Sequence, residues 1–246
     1  MLSLPIAAGF AAAIVSTSFI SGIFGMAGGM ILMGILLAFM PLAPAMVLHG
    51  LVQTAANGWR AWQWRGHIDR RIFVHYAAGA IVVAGVCSAT QFTASKATAL
   101  IIIGLTPFLG LVLPGRLAPD LARRGHDYGG GAICTVLQLL AGVSGPILDV
   151  FFVRSKLGRH GLVATKAAVQ LLGHGLKVVY FGHLLVSGNE TVSPVAVIVA
   201  IPLAVAGTHL SRFVLDLISE AQFRTWSRYV IGAVSTIYLI QGLVLL

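Results

Sequence analysis

Two groups of polar side chains have the types and the spacing to bind an anion. Within each group the residues are four and then three positions apart, so on a helix all of them lie on one face. The groups are Gln53, Asn57 and Arg60, and Gln170, His174 and Lys177. Their amide, imidazole and basic groups donate hydrogen bonds, and ionisable side chains within apolar sequence are functional candidates. The alternative is that the amides only join helices while the two basic side chains extend to opposite membrane surfaces.

Two glycine-rich elements offer a backbone site for the same anion. Residues 22–29 contain four glycines, and a shorter copy follows at 142–146. Glycine destabilises a helix interior by about 1 kcal/mol, so each element predicts a break after which a new helix begins. The start of such a helix has free N–H groups and a partial positive charge, which attract anions; the alternative role of the glycines is close helix packing. The binding residues predicted here are Gly25, Gly28, Gly29, Ser144 and Gly145.

Three further residues are candidates for ion pairing or for carrying a coupling proton. They are His49, Asp149 and Lys166. Asp149 lies one turn into the second short helix, with Lys166 and Lys177 as potential partners. His174 is an alternative proton carrier, because imidazole titrates at about pH 6.5.

The composition places these residues in a membrane protein. The chain has 246 residues, of which 58% are hydrophobic and 9% charged, whereas soluble domains have about 25% charged residues. Apolar runs of about 20 residues recur along the chain, which predicts an all-α polytopic membrane protein. The net charge of +9 comes from basic residues that flank these runs, so we expect the lipid bilayer as partner and no nucleic acid. The sequence predicts no cofactor and no metal.

The predicted elements fall into two halves, 1–113 and 132–246, joined by a cytoplasmic linker at 114–131. Each half has a broken helical hairpin followed by three spans. The first half comprises helices at 4–21 and 29–40 and spans at about 45–64, 72–91 and 97–113. The second comprises a broken element at 132–153 and spans at about 161–186, 193–211 and 224–245.

The distribution of basic residues predicts that both broken elements are re-entrant. If 132–153 crossed the membrane, Lys and Arg would divide 6 to 7 between its two sides. If both elements return to the side they entered from, twelve lie on one side and only Lys96 on the other. The twelve are Arg65, Arg70, Arg71, Arg116, Arg123, Arg124, Arg154, Lys156, Arg159, Arg212, Arg224 and Arg228. Because basic residues accumulate on the cytoplasmic side, this predicts an inverted-topology repeat with both termini on the exterior.

A residue-by-residue match between the halves supports that prediction. A shift of 117 residues brings polar or small residues of the two halves into register. The pairs are His49 with Lys166, Gln53 with Gln170, Asn57 with His174, Gly58 with Gly175, and Arg60 with Lys177.

The glycine element, its G-x-x-G-P copy and the two-half layout resemble the sulfite exporter (TauE/SafE) family, also grouped as toluene sulfonate uptake permeases. The resemblance implies a permease of the bacterial inner membrane that moves sulfite or small organosulfonates, often outward. It also implies that residues 25–29 and 142–146 line the anion site. The second element departs from the pattern, since it lacks the double glycine found at Gly28 and Gly29.

Two other functions are compatible with the sequence. Gly142-Val143-Ser144-Gly145 matches the G-x-S-G of intramembrane serine proteases, with His174 as the base. A permease for another solute is the second, and a carboxylate would use the same donors. Metal cations fit poorly, because Asp149 is the only acidic residue expected within the membrane. Antiparallel halves permit either direction of transport, and the sequence leaves the coupling ion and the oligomeric state open.

Overall fold

The computed structural model describes residues 4–112, 119–121, 123, 125–152, 154–188, 191–215 and 220–246, and within them all regular structure is helical. The first half contains α1 (Leu4–Phe24), α2 (Met26–Phe39), α3 (Leu42–Gln63), α4 (Arg70–Thr90) and α5 (Lys96–Val112), with one 3-10 turn at Arg65–His67. The second contains α6 (His126–Ala141), α7 (Gly145–Phe152), α8 (Arg159–Ser187), α9 (Pro194–Leu215) and α10 (Glu220–Val244). The predicted all-α class is therefore confirmed.

Local sequence explains where most of these helices begin and end. Gly25 has a φ of 71°, which L side chains rarely adopt, and it separates α1 from α2. Pro41 precedes α3, where a missing N–H costs nothing. The carboxylate of Asp69 accepts a hydrogen bond of 3.0 Å from the backbone N–H of Ile72 and so caps α4. These boundaries agree with the predicted ones to within a few residues.

The start of α6 differs from the prediction, because it lies inside the stretch 114–131 that was predicted as a linker. Residues 114–118, 122 and 124 of that stretch lie outside the described residues. The cluster His126-Asp127-Tyr128-Gly129-Gly130-Gly131 is polar and glycine-rich, but its glycines allow close packing against α4. A Cβ on Gly131 would overlap the backbone carbonyl of Tyr76, and one on Gly79 would overlap that of Tyr128. The glycines serve helix contact here rather than chain flexibility.

Among the described residues, four helices are long and apolar enough to cross a membrane. The segments concerned are Ala7–Phe24, Arg70–Thr90, His160–Ser187 and Pro194–Val214. Shorter apolar helices lie at Met26–Phe39, Lys96–Leu109 and Tyr229–Val244. Large apolar side chains such as Val82 and Ile198 are two-thirds exposed on the outside of the bundle, as expected for a surface in contact with lipid. The chain is a helical membrane protein.

The short helices α2 and α7 lie in the interior of the bundle. α2 contacts α1, α3, α5 and α10, and α7 contacts α5, α6 and α8. The central contact joins α3 to α8, one from each half, and further contacts join α1 to α9, α4 to α6 and α5 to α10. The main apolar core surrounds α2, where Leu32, Met33 and Leu36 are fully buried. Both polar stripes therefore lie on helices that pack together at the centre.

Candidate functional site

A small cleft lies where the starts of α2 and α7 meet, with α3 and α8 on either side. The cleft is narrow: the space open to the centre of a water-sized sphere is about 20 Å³. The two helix starts are in contact, since a Cβ placed on Gly145 would lie 2.6 Å from Cβ of Met26. Eight residues that the sequence predicted as functional line it: Gly25, Gly29, His49, Gln53, Ser144, Gly145, Gln170 and His174.

The chain breaks next to this cleft have the same geometry in both halves. Gly25 follows α1 with a φ of 71°, and Gly142 follows α6 with a φ of 78°. In each case the side chain four residues earlier donates to the carbonyl oxygen of that glycine. The Ser21 hydroxyl donates to Gly25 O over 2.5 Å, and the Gln138 amide donates to Gly142 O over 3.0 Å. Each break is thus held by a hydrogen bond that the regular helix does not supply.

Gln53 presents an unpartnered donor to the cleft. The residue is 3% exposed, and its Nε2 has no hydrogen-bond partner among the described residues. Asn57 lies one turn later and fixes the amide, because its Nδ2 donates 2.9 Å to the Gln53 carbonyl and 3.5 Å to Gln53 Oε1. Buried amide N–H groups are usually satisfied in proteins, so this N–H group is free to donate to a ligand in the cleft.

A second set of hydrogen bonds fixes His174. Ser144 Oγ donates to Gln138 Oε1 over 2.9 Å, so the other end of that amide is Nε2. Gln138 Nε2 donates to His174 Nδ1 over 2.8 Å. Since Nδ1 accepts this bond, the ring carries its proton on Nε2, and that N–H is a second donor at the cleft.

His49 connects the cleft to a buried lysine. Its Nε2 lies 2.9 Å from the Gly29 carbonyl, which can only accept, so Nε2 carries the proton. Its Nδ1 accepts from Nζ of Lys177 over 2.6 Å, and Nζ also donates 2.9 Å to the Gly142 carbonyl. Lys177 has 0% exposure, and no ion pair to it is formed within the described parts of the chain.

The other predicted residues lie near the cleft without lining it. Arg60 donates 3.1 Å to the Ser21 carbonyl in the last turn of α1, where a cation is favoured by the helix dipole. Gly28 packs against α1, because a Cβ there would overlap the carbonyl of Thr17. Asp149 forms an ion pair with Lys166 rather than with Lys177.

A comparison with protein families now adds to this geometry. The model of the family described as sulfite exporter TauE/SafE matches residues 10–239. The chain belongs to the sulfite exporter TauE/SafE family. The predicted membership is thereby confirmed, and it identifies the chain as a membrane transporter of a family associated with sulfite. Comparisons with curated proteins and with solved structures find no significant match.

The serine-hydrolase hypothesis finds no support in this member of the TauE/SafE family. The Ser144 hydroxyl donates to Gln138, which accepts through an amide oxygen and cannot take up its proton. Nδ1 of the His174 imidazole accepts a hydrogen bond from the same amide, through Gln138 Nε2. Ser144 is thus part of the network that orients His174.

Met26, Val143 and Pro146 also line the cleft of this TauE/SafE protein, within the ranges 25–29 and 142–146 that the family resemblance implied. Sequence reasoning missed Ser21 and Met30, which line it too. It also missed Gln138, which organises the cleft from one side. Ser21 and Gln138 are themselves 117 residues apart, the same shift that superimposes the two stripes. Extending that shift backwards from Gln53 and Gln170 would have found them.

Proposed function

We propose that this protein transports sulfite or a small organosulfonate across the inner membrane by alternating access, with the anion held in the cleft between α2 and α7. The observation that carries the proposal is the donor set of that cleft. Gln53 Nε2 is unpartnered and His174 presents Nε2–H, while none of the residues described as lining the cleft is acidic. Such a lining favours an oxyanion and disfavours a cation.

The two helix starts supply the second part of the binding. The first turns of α2 and α7 carry backbone N–H groups without helical partners, and each helix start is equivalent to about half a positive charge. Gly25, Gly29 and Gly145 leave this backbone bare at the cleft. Two converging helix starts suit the several oxygens of sulfite or a sulfonate, because each oxygen can reach a different donor.

The packing of the helices supports an inverted repeat as the basis of alternating access. Under the shift of 117 residues, α1 corresponds to α6, α2 to α7, α3 to α8, α4 to α9 and α5 to α10. Contacts between the halves then occur in equivalent pairs. The contact of α1 with α9 is equivalent to that of α6 with α4, and the contact of α3 with α9 is equivalent to that of α8 with α4. Exchange of the halves leaves two contacts unchanged, that of α3 with α8 and that of α5 with α10. Halves related in this way can exchange conformations, so that the cleft opens to either side in turn.

Flux through reconstituted protein tests this function. Proteoliposomes loaded with ³⁵S-sulfite should release it faster than protein-free liposomes, and unlabelled methanesulfonate should compete. Acetate serves as the comparison for carboxylate transport. Transport of small anions would be contradicted if proteoliposomes released sulfite, methanesulfonate and acetate no faster than protein-free liposomes do. Release of acetate alone would replace the proposed substrate by a carboxylate.

A further inference from the structure

The pair formed by His49 and Lys177 lies directly behind the anion cleft and has no acidic partner among the described residues. Resting on the proposed function, we propose that this pair binds one proton together with each transported anion, so that the protein is a proton–anion symporter. The pair joins the halves, because His49 belongs to α3 and Lys177 to α8. The hydrogen bonds continue to Gly29 O in α2 and to Gly142 O at the second break.

The geometry allows the pair to exist with one proton more or fewer. His49 donates through Nε2 to a carbonyl, so Nδ1 carries a lone pair directed at Lys177 Nζ. A neutral amine and an ammonium can both donate to that lone pair and to Gly142 O. The ammonium form is a buried charge, which is costly unless an opposite charge lies nearby. An anion in the cleft, against the other side of His49, supplies that charge.

Several other charged or titratable groups on the surrounding elements make contacts elsewhere. α8 packs against α3, α4, α6, α7 and the 3-10 turn, and α3 packs further against α1, α2 and α9. On α9, the His209 ring lies against Trp59 and Phe213, and Arg212 lies over the Phe213 ring. On α3 and α4, Arg60 donates to Ser21 O, and Arg71 and His75 contact Asp127. Asp149 is paired with Lys166, and Tyr76 contacts Cys134. The His126 ring accepts from the N–H of Asp120, and the His67 ring lies against that of His160. None of these contacts is made with His49 or Lys177. The anion therefore has no competitor among them as counter-charge for the pair.

His174 also lies nearby, with its ring centroid 5.4 Å from that of His49, but its surroundings keep it neutral. A proton on Nδ1 would face the N–H₂ of Gln138. Turning that amide over would direct Oε1 at the carbonyl of Gly142, which now accepts from Nε2 over 3.0 Å. The Ser144 hydroxyl holds the present orientation. The proton is therefore placed on the His49–Lys177 pair.

The proton follows a balanced cycle. With the cleft open to one side, an amine at Lys177 takes up a proton from water as the anion binds, giving a neutral pair of ammonium and monoanion. After the halves exchange conformation, anion and proton leave together on the other side. For a monovalent sulfonate, net flux should follow the anion and pH gradients and be insensitive to membrane potential.

Calorimetry on the purified full chain tests the inference, with methanesulfonate as probe because it stays ionised throughout the experimental pH range. Titrations in two buffers of different ionisation enthalpy give the number of protons taken up per anion. We expect uptake that rises towards one proton as pH increases, with affinity falling about tenfold per pH unit once the free pair is deprotonated. Binding without proton uptake, at constant affinity from pH 5 to 9, would overturn the proton site.

Variants separate this pair from other titrating groups. Lys177→Met should abolish proton uptake, and Lys177→Arg, which keeps a permanent charge, should bind methanesulfonate with no pH dependence. The matched control is Lys156→Met, which removes an exposed lysine before α8. Unchanged proton uptake in a folded Lys177→Met protein would refute the assignment. If the Lys177 variants do not fold, the two-buffer measurement on the unmodified protein still decides. Failure of both methanesulfonate and sulfite to bind at any pH would instead refute the proposed function.

Discussion

At the scale of single residues, Gln53 lines the cleft with a buried amide whose Nε2 has no acceptor among the described residues. Leaving a buried amide unsatisfied costs stability, and binding of the proposed anion would recover that cost. The unsatisfied amide would thus lower the stability of the empty protein and raise its affinity for the proposed anion. A side chain with this role can be recognised, because its replacement affects stability and binding in opposite directions.

Gln53→Leu should weaken anion binding without lowering stability. One hydrogen bond to a charged ligand contributes about 1.5–3 kcal/mol, so the dissociation constant for methanesulfonate should rise roughly tenfold to a hundredfold. Thermal unfolding of the empty protein in detergent should occur at the same or a higher temperature, since an unsatisfied polar atom is removed. Gln241→Leu, at an exposed position of α10, is the control and should leave both quantities unchanged. A Gln53→Leu protein with normal affinity would remove Gln53 from the site.

Residue types and spacing predicted much of the cleft, but not how its hydrogen bonds are distributed. Gln53, Gln170 and His174 were found because polar groups at helical spacing are rare in apolar sequence. Arg60 belonged to the same stripe, yet its long side chain extends to the Ser21 carbonyl, a choice that spacing alone does not determine. Gln138 escaped notice because its partner, Gly142 O, is a backbone atom freed only by the break.

At the scale of elements, the end of α1 depends on the backbone of Gly25. Nothing lies within 4 Å of a Cβ placed on Gly25, and the same is true of Gly9 within α1. Any difference between alanine substitutions at these two positions therefore comes from the backbone conformation, since neither new methyl group meets a neighbour. This makes the two glycines a matched pair.

Gly25→Ala should destabilise the protein by about 1–3 kcal/mol, the usual cost of a residue held in a sparsely populated backbone region. Gly9→Ala should be neutral or slightly stabilising, since alanine favours helix by about 1 kcal/mol. Unfolding followed by circular dichroism in detergent measures both. Equal unfolding temperatures for the two variants would show that the α1–α2 break does not need the positive φ of Gly25.

The contact between α4 and α6 offers a second matched pair of glycines. A Cβ on Gly131 would overlap the Tyr76 carbonyl, whereas one on Gly129 meets nothing within 4 Å. Gly131→Ala should force the helices apart and cost about 1–3 kcal/mol, as overpacking usually does, while Gly129→Ala should be tolerated. The unfolding temperatures of the purified variants measure this difference. A tolerated Gly131→Ala would mean that the two helices are not closely packed in the membrane.

Sequence patterns predicted the helices to within a few residues because apolar runs and glycine breaks are local signals. The start of α6 was misplaced because Gly131 serves a contact with α4 that no local pattern shows. The same residue type thus marks a chain break at Gly25 and close packing at Gly131. Only the neighbouring helix distinguishes the two roles.

At the scale of the whole molecule, the proposed inverted repeat determines which loops share a side of the membrane. Residues 119–123 precede α6 and residues 154–158 follow α7. If α6 and α7 form a re-entrant hairpin, both segments lie on the cytoplasmic side. Lys96, at the start of α5, then lies on the opposite side.

Cysteine labelling tests this arrangement. In a chain whose Cys87 and Cys134 have been replaced, single cysteines at Arg123 and Lys156 should react with a membrane-impermeant maleimide only after the cells are opened. A cysteine at Lys96 should react in intact cells. Arg123→Cys and Lys156→Cys labelled from opposite sides would show that α6 and α7 together cross the membrane, and the inverted repeat would be lost.

The surroundings of Gly142 bear on how easily the centre of the molecule can deform. A Cβ at Gly142 would approach the sulfur atoms of Met46 and Met33, both fully buried, at 2.6 and 3.1 Å. Methionine is unbranched and has three rotatable bonds, so it refills a changed space where a branched side chain would resist. If the two halves exchange conformations as proposed, Met46 and Met33 can repack around the break at Gly142 at little cost. The energy barrier between the outward- and inward-open states would then be lowered by side chains outside the proposed anion site.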